Sequence, residues 1–326
     1  MDEVLIGTVL ASTLRVSVPL ILCALAGVLC ERSGVIDLGL EGKMLLTAFA
    51  AASTGAVTGS LALALAAALV VGVALSMLHG YACVSHGGDQ VVLGMAITMT
   101  AAGLTVVLGS AWFAQGGQTP PLPDSVRLGG WFVGAGARVA QWPYLGRALA
   151  LAFFGHNVMV YGALVLVAAV WWLLYRTGFG LRLRAAGENP AMVDAAGVSV
   201  QTLRYQALAL NGVLSALAGA YLVLAQNASF IPNMTAGRGY MALAALIFGK
   251  WRPVGAMWAC LLFGFLDAVS IRLQGLELPA YFFTGGSVPV QAIQALPYVL
   301  TVVLLAGFIG RAVAPKALGR PYVTDR

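Results

Sequence analysis

Two polar stretches interrupt an otherwise apolar chain, and they hold most of the residues able to do chemistry. The first, ERSGVIDLGLEGKM, crowds Glu31, Arg32, Asp37, Glu41 and Lys43 among Gly34, Gly39 and Gly42. Asp37 and Glu41 are the acid pair a proton- or sodium-coupled carrier would need. A different chemistry is also available. DLGLEG reads as a helix start, with Asp37 as cap and acids in the first turn. The glycines permit a broken helix whose free N–H groups face a cavity and line a transport path. On that reading Asp37, Gly39, Glu41 and Gly42 are path residues, joined by Asn211 from a later apolar run. The plainer alternative is a solvated turn.

The second stretch, Arg176 to Val200, reads RTGFGLRLRAAGENPAMVDAAGVSV. Its second half predicts a short capped helix. Asn189 can accept from a first-turn N–H, Pro190 suits the first helical position, and Gly197 can take the left-handed conformation that ends it. Ala191, Met192, Val193, Ala195 and Ala196 then form an apolar knob facing water. Such a knob either lies on its own protein as an ordinary loop or docks a separate cytosolic subunit that drives the membrane part.

Elsewhere the chemistry is sparse. Arg15, Asp267 and Arg272 fall inside apolar runs, where ionisable residues usually face a cavity or a partner. Asn211, Gln226 and Asn227 read first as interhelical hydrogen-bond donors and acceptors. His79, His86 and His156 are scattered, and Cys23, Cys30, Cys83 and Cys260 lack metal or redox spacing. GLEGKM lacks the glycine gap and the Ser or Thr of a phosphate-binding loop. No catalytic residue, metal ligand or cofactor is expected in this chain, which is not an enzyme by itself.

The elements that must position these residues are membrane helices. The chain has 326 residues, 60% hydrophobic and only 9% charged, against about 25% charged in a soluble domain. At about 20 residues per span, this length predicts an all-α polytopic protein of about nine (8–10) transmembrane helices. The 40 glycines suit close helix packing. A net charge of +6 does not indicate nucleic acid, because the basic residues fall at span ends.

Spans are expected near 4–29, up to 57, 61–83, 91–109 and 149–175, then 203–225, around 239–248, 254–271 and 290–309. Residues 1–326 form a single transmembrane domain. Arg176, Arg182, Arg184 and Arg204, then Lys250 and Arg252, then the tail 311–326 mark the cytoplasmic side. The polar stretch 176–200 is thus a cytoplasmic loop and 110–147 an extracytoplasmic one, with the N-terminus outside. Against that, 110–147 carries Arg127, Arg138 and Arg147, so it is either partly folded on the surface or the count is off by one span. Asp2 and Glu3 follow Met1, where a cleavable signal peptide would be basic, so none is expected.

Three strings carry a resemblance. ERSGVIDLGLEGKM resembles a signature of nucleoside-type permeases, with Asp37 where Asn is commoner. LRLRAAGENPAMVDAAGVSV resembles their coupling segment, and GRGYMALAALIFGKWRPVGA the helix pair that follows. In this order they resemble the permease subunits of bacterial ABC importers, in the branch handling nucleosides and simple sugars, related to ribose-type and branched-chain amino acid permeases. The resemblance implies a multi-pass protein of the bacterial inner membrane with a cytoplasmic coupling helix. Gly187, Glu188, Asn189, Pro190, Met192, Val193, Ala195, Ala196 and Gly197 would contact the ATPase. Implied partners are cytosolic ATPase subunits carrying ATP and Mg, a second related permease subunit (a heterodimer), a lipid-anchored or periplasmic binding protein, and membrane lipid. Nucleosides rank first as substrate, simple sugars second and branched-chain amino acids third. A secondary transporter and a non-transporting scaffold or receptor are the rival classes.

Overall fold

A computed structural model describes residues 2–130, 132–142, 146–273 and 312–322, with single positions 295 and 299. The expected span 290–309, the loop from Gln274 before it and the extremes of the tail lie outside the described residues. The described residues are helical, without a strand beyond one isolated bridge between Gly130 and Asn157.

The helices are α1 (Asp2–Arg32), α2 (Leu40–Thr58), α3 (Leu61–Gly80), α4 (Gln90–Phe113), α5 (Val133–Val139) and α6 (Gly146–Phe153). They continue with α7 (Val158–Arg176), α8 (Gly178–Glu188), α9 (Pro190–Ala195), α10 (Val200–Tyr221), α11 (Arg238–Phe248) and α12 (Pro253–Leu273). A wider π-type turn extends α3 to Ser85 and α10 to Gln226. Six of these elements are long and apolar enough to cross a membrane: α1, the extended α3, α4, α7, the extended α10 and α12.

Side-chain caps set many of the boundaries. Asp89 accepts from the N–H groups of Val91 (2.8 Å) and Val92 (3.0 Å) to open α4. Asn157 accepts from Val160 to open α7, Thr177 from Gly180 to open α8, and Ser199 from Thr202 to open α10. Each cap satisfies a first-turn donor that has no partner within its own helix. The Asn157 cap also corrects an expectation. The apolar run from Leu149 is broken at 154–157 into α6 and α7 rather than forming one span. The segment 110–147 is partly folded: α4 runs on to Phe113, and α5 and the start of α6 lie within it.

Helix α1 is the central column, packed by α12, α10, α6, α11 and α7. Pro19 sits inside it. Proline has no N–H, so the Arg15 carbonyl loses its helical donor. The Tyr221 hydroxyl takes its place, donating to the Arg15 carbonyl at 3.0 Å. By contrast, α3 and α4 keep most of their surface uncovered.

After α10 the chain does not run straight into another span. Residues 224–230 pair with the segment after α4: the Leu122 N–H donates to the Ala228 carbonyl (2.7 Å), Leu128 to Leu224 (2.8 Å) and Thr119 to Phe230 (3.1 Å). Then α11 begins. Its 11 residues reach about 16 Å, roughly half a hydrocarbon core of about 30 Å. The full span expected around 239–248 is a half-length helix.

Candidate functional site

The residues of the first polar stretch are drawn inside the bundle. Asp37 and Lys43 are both fully buried, with Lys43 Nζ 2.6 Å from Asp37 Oδ2. His79 of α3 brings Nδ1 to 3.3 Å from the other carboxylate oxygen. Lys43 also donates to Asn211 Oδ1 of α10 (3.1 Å), and the Ser76 hydroxyl donates to the same oxygen (3.0 Å). Asn211 Nδ2 donates in turn to the Ala26 carbonyl of α1 (3.1 Å). One cluster thus ties α1, α2, α3 and α10 together. Burial pushes the Asp37 carboxyl up, but Lys43 and His79 outweigh it and hold the group below the ordinary carboxylate range.

Asp37 is not the cap of α2. It accepts from the Gly39 N–H (3.1 Å), and no side chain caps the helix. The physical reason is Lys43: a buried ammonium needs a counter-ion more than a helix end needs a cap. Glu41 is instead committed to another element. Its two oxygens accept from the N–H groups of Gly237 (2.8 Å) and Gly239 (2.6 Å), at the start of α11. A carboxylate against the positive end of a half-length helix is favourable both as hydrogen bonds and as a charge–dipole contact. Gly237 adopts φ +82°, the left-handed conformation that turns both donors inward. Gly39 and Gly42 lie against α4, at Gly94 and Thr98. All five expected path residues are buried, but only Asp37 and Asn211 share the Lys43 cluster, while Gly39 and Gly42 face α4 and Glu41 faces α11.

The second stretch faces outward. Asn189 accepts from the Met192 N–H (3.3 Å), Pro190 occupies the first turn, and Gly197 ends the helix at φ +80°. Met192 is 69% exposed, and Glu188, Asn189, Ala195, Ala196 and Gly197 are exposed with it, while Pro190 is half-buried. Val193 and Gly187 are buried and lie on the inner side, so the exposed apolar face is Met192 with its neighbouring alanines. The first half of the stretch, expected as loop, is helix α8.

The sequence pattern assigns no site role to several residues at this end. Arg204, 1% exposed, donates from Nε to the Ser33 carbonyl (3.3 Å). Arg32 Nε donates to the Trp251 carbonyl (2.9 Å), and the Trp251 indole N–H to Glu31 (2.5 Å). His79 and Ser76 were missed as cluster members. The signal was present, because a lone histidine in the run LALALAAALVVGVALSMLHG needs a buried partner. The Arg15 side chain donates from Nε to the Ala11 carbonyl of its own helix (3.4 Å), and Gln226 accepts from Arg238 (3.3 Å). Among the described residues no group of three or more His, Cys, Asp or Glu is placed to hold a metal.

Residues 9–307 match the family model described as "Branched-chain amino acid transport system / permease component". The chain belongs to this family. It is a multi-pass membrane permease component. It is 35% identical to the guanosine ABC transporter permease protein NupQ of Bacillus subtilis (strain 168), over 99% of this chain and 98% of the relative. It is 34% identical to the nucleoside ABC transporter permease protein NupC of Lactococcus lactis subsp. cremoris (strain MG1363), over 98% of this chain and 97% of the relative. In fold it is similar to a solved structure described as an inward-facing conformation of a metal-chelate type ABC transporter. The TM-score is 0.50 at 16% identity, covering 92% of this chain and 85% of that one.

Proposed function

We propose that this permease moves nucleosides inward across the plasma membrane by alternating access, driven by separate ATPase subunits that bind at α9. The observation carrying the proposal is the near end-to-end similarity to a guanosine and a nucleoside permease. The exposed Met192 face supports the docking role, since an apolar surface on a capped, basic-flanked helix fits a protein partner better than water. ATP and Mg belong to that partner; this chain is a moving part rather than the hydrolase. A second permease subunit, forming a heterodimer, and a lipid-anchored or periplasmic binding protein complete the assembly. The binding protein selects the substrate. About nine crossings follow if α2, the half-length α11 and the apolar sequence 290–309 are added to the six long helices.

The basic end, where Arg32, Arg204, Lys250 and the tail meet, is placed in the cytoplasm and the N-terminus outside. All four native cysteines are buried, so single introduced cysteines report cleanly. Ala228→Cys is expected to label from outside, and Val313→Cys, at a position 77% exposed, only after permeabilisation. The reverse pattern contradicts the orientation. Buried Ala317 would serve poorly as that second position.

Function is tested by uptake in cells lacking their own nucleoside importers and expressing the whole assembly. Labelled guanosine is expected to accumulate and to be competed by other nucleosides. Competition by leucine or glucose alone would overturn the substrate assignment.

A further inference from the structure

The surface helix and the buried cluster are joined at one place. The backbone of Gly187, at the end of α8, lies directly on the Arg32 carbonyl and the Gly34 N–H, with no room for a β-carbon. Two backbones in direct contact form a stiff junction, because no side chain is available to repack between them.

A third segment, 312–322, spans both sides of that contact. The Ala317 N–H donates to the Gly187 carbonyl (2.9 Å), and two residues later the Gly319 N–H donates to the Gly34 carbonyl (3.0 Å). Arg204 closes the third side, donating from Nε to the Ser33 carbonyl and from Nη2 to the Arg320 carbonyl (3.4 Å). The Tyr322 hydroxyl reaches α9 itself, donating to Asp194 Oδ2 at 3.2 Å. Ala314, Leu318 and Tyr322 pack on the core, which anchors the segment.

We propose that the C-terminal segment 312–322 and Arg204 clamp the Gly187–Gly34 contact into a transmission joint, so that movement of α9 is delivered to the Asp37–Lys43–Asn211 cluster. The path is short. From Gly34 the chain runs three residues to Asp37, and from there ion pairing and hydrogen bonds reach α2, α3 and α10. Without the clamp, the contact of α8 with α1 loses the hydrogen bonds that bridge it, and a push at Met192 is absorbed by local slippage. Coupling between distant sites needs such contiguous, stiff elements. The proposal rests on the reading of α9 as the ATPase docking helix and adds how this chain conveys the push.

The test uses the full assembly in proteoliposomes and measures three quantities: ATPase co-purification, ATP hydrolysis and uptake per ATP hydrolysed. Arg204→Lys keeps the charge but loses the planar fork that bridges two carbonyls. Tyr322→Phe removes one hydroxyl, and a truncation after Ala314 removes the clamp. In all three the ATPase is expected to remain bound and active. Uptake per ATP is expected to fall about tenfold in the truncation, within the usual range of coupling energies, and less in the point variants. Unchanged uptake per ATP with the ATPase bound overturns the clamp. So does loss of ATPase binding in a truncation that is otherwise folded, which would make the segment a docking surface. If the truncation does not assemble, Arg204→Lys and Tyr322→Phe decide by the same ratio. Met192→Asp is the separate control: ATPase binding that survives it contradicts the docking reading, whatever the clamp does.

Discussion

The two polar stretches look alike in the sequence and meet opposite fates. Residues 31–43 and 176–200 each place charges and glycines between long apolar runs, and each contains a short polar helix start. In the structure the first turns inward until Asp37 and Lys43 lose all contact with solvent. The second turns outward and leaves Met192 exposed. The difference lies in the partners. Asp37 has Lys43 and His79, Lys43 has Asn211, and Glu41 has the open end of α11. Charge density along a chain does not set depth; the presence of a complementary group elsewhere does.

The comparison is broken most severely at Asp37. Asp37→Asn removes the counter-ion of a fully buried lysine, and unpaired buried charges cost about 3–5 kcal/mol. Thermal unfolding in detergent is expected to show a large loss. The double variant Asp37→Asn with Lys43→Met is expected to regain much of it, because the orphan charge is gone. A single variant as stable as the parent means the cluster is hydrated. This reverses what a capping role for Asp37 implies, since asparagine caps nearly as well as aspartate.

A smaller effect is expected from Glu41→Gln. It keeps one acceptor for the two N–H groups at the α11 start and loses the charge, for about 1–3 kcal/mol. Hydrogen exchange of the 237–241 amides is expected to quicken, and unchanged protection there argues against the cap. On the outward stretch, Asn189→Ala is expected to cost about 0.5–2 kcal/mol of local helix stability, read as faster exchange over 190–196. The smallest stability change belongs to Met192→Asp, within about 0.5 kcal/mol as for exposed positions generally. Yet it is expected to abolish ATPase co-purification, and a variant that still holds the ATPase removes α9 from the docking surface. Val193→Asp does not make this test, because Val193 is buried and its replacement damages the fold itself.

Much of the architecture was legible because its causes are local. Low charge and long apolar runs give helices long enough to cross a membrane. The α9 cap is readable as Asn189, Pro190 and Gly197, all within one turn of where they act. The break between α6 and α7 was missed, although Asn157 is a plain cap, because the apolar run on both sides masked it. The half-length α11 was missed for a different reason. Nothing in RGYMALAALIF says that the helix starts against Glu41, a residue almost two hundred positions earlier. The cluster partners His79 and Ser76 and the clamp at 312–322 are likewise long-range pairings, which periodicity and capping rules do not reach.

The claim that this chain is an ATP-driven nucleoside permease is tested most directly by vesicle uptake. The permease is reconstituted with its second membrane subunit, the ATPase and the binding protein, and labelled guanosine uptake is followed with ATP on the ATPase side. Uptake is predicted to require ATP and to persist when proton and sodium gradients are collapsed. Uptake that runs on either gradient without ATP would contradict the account.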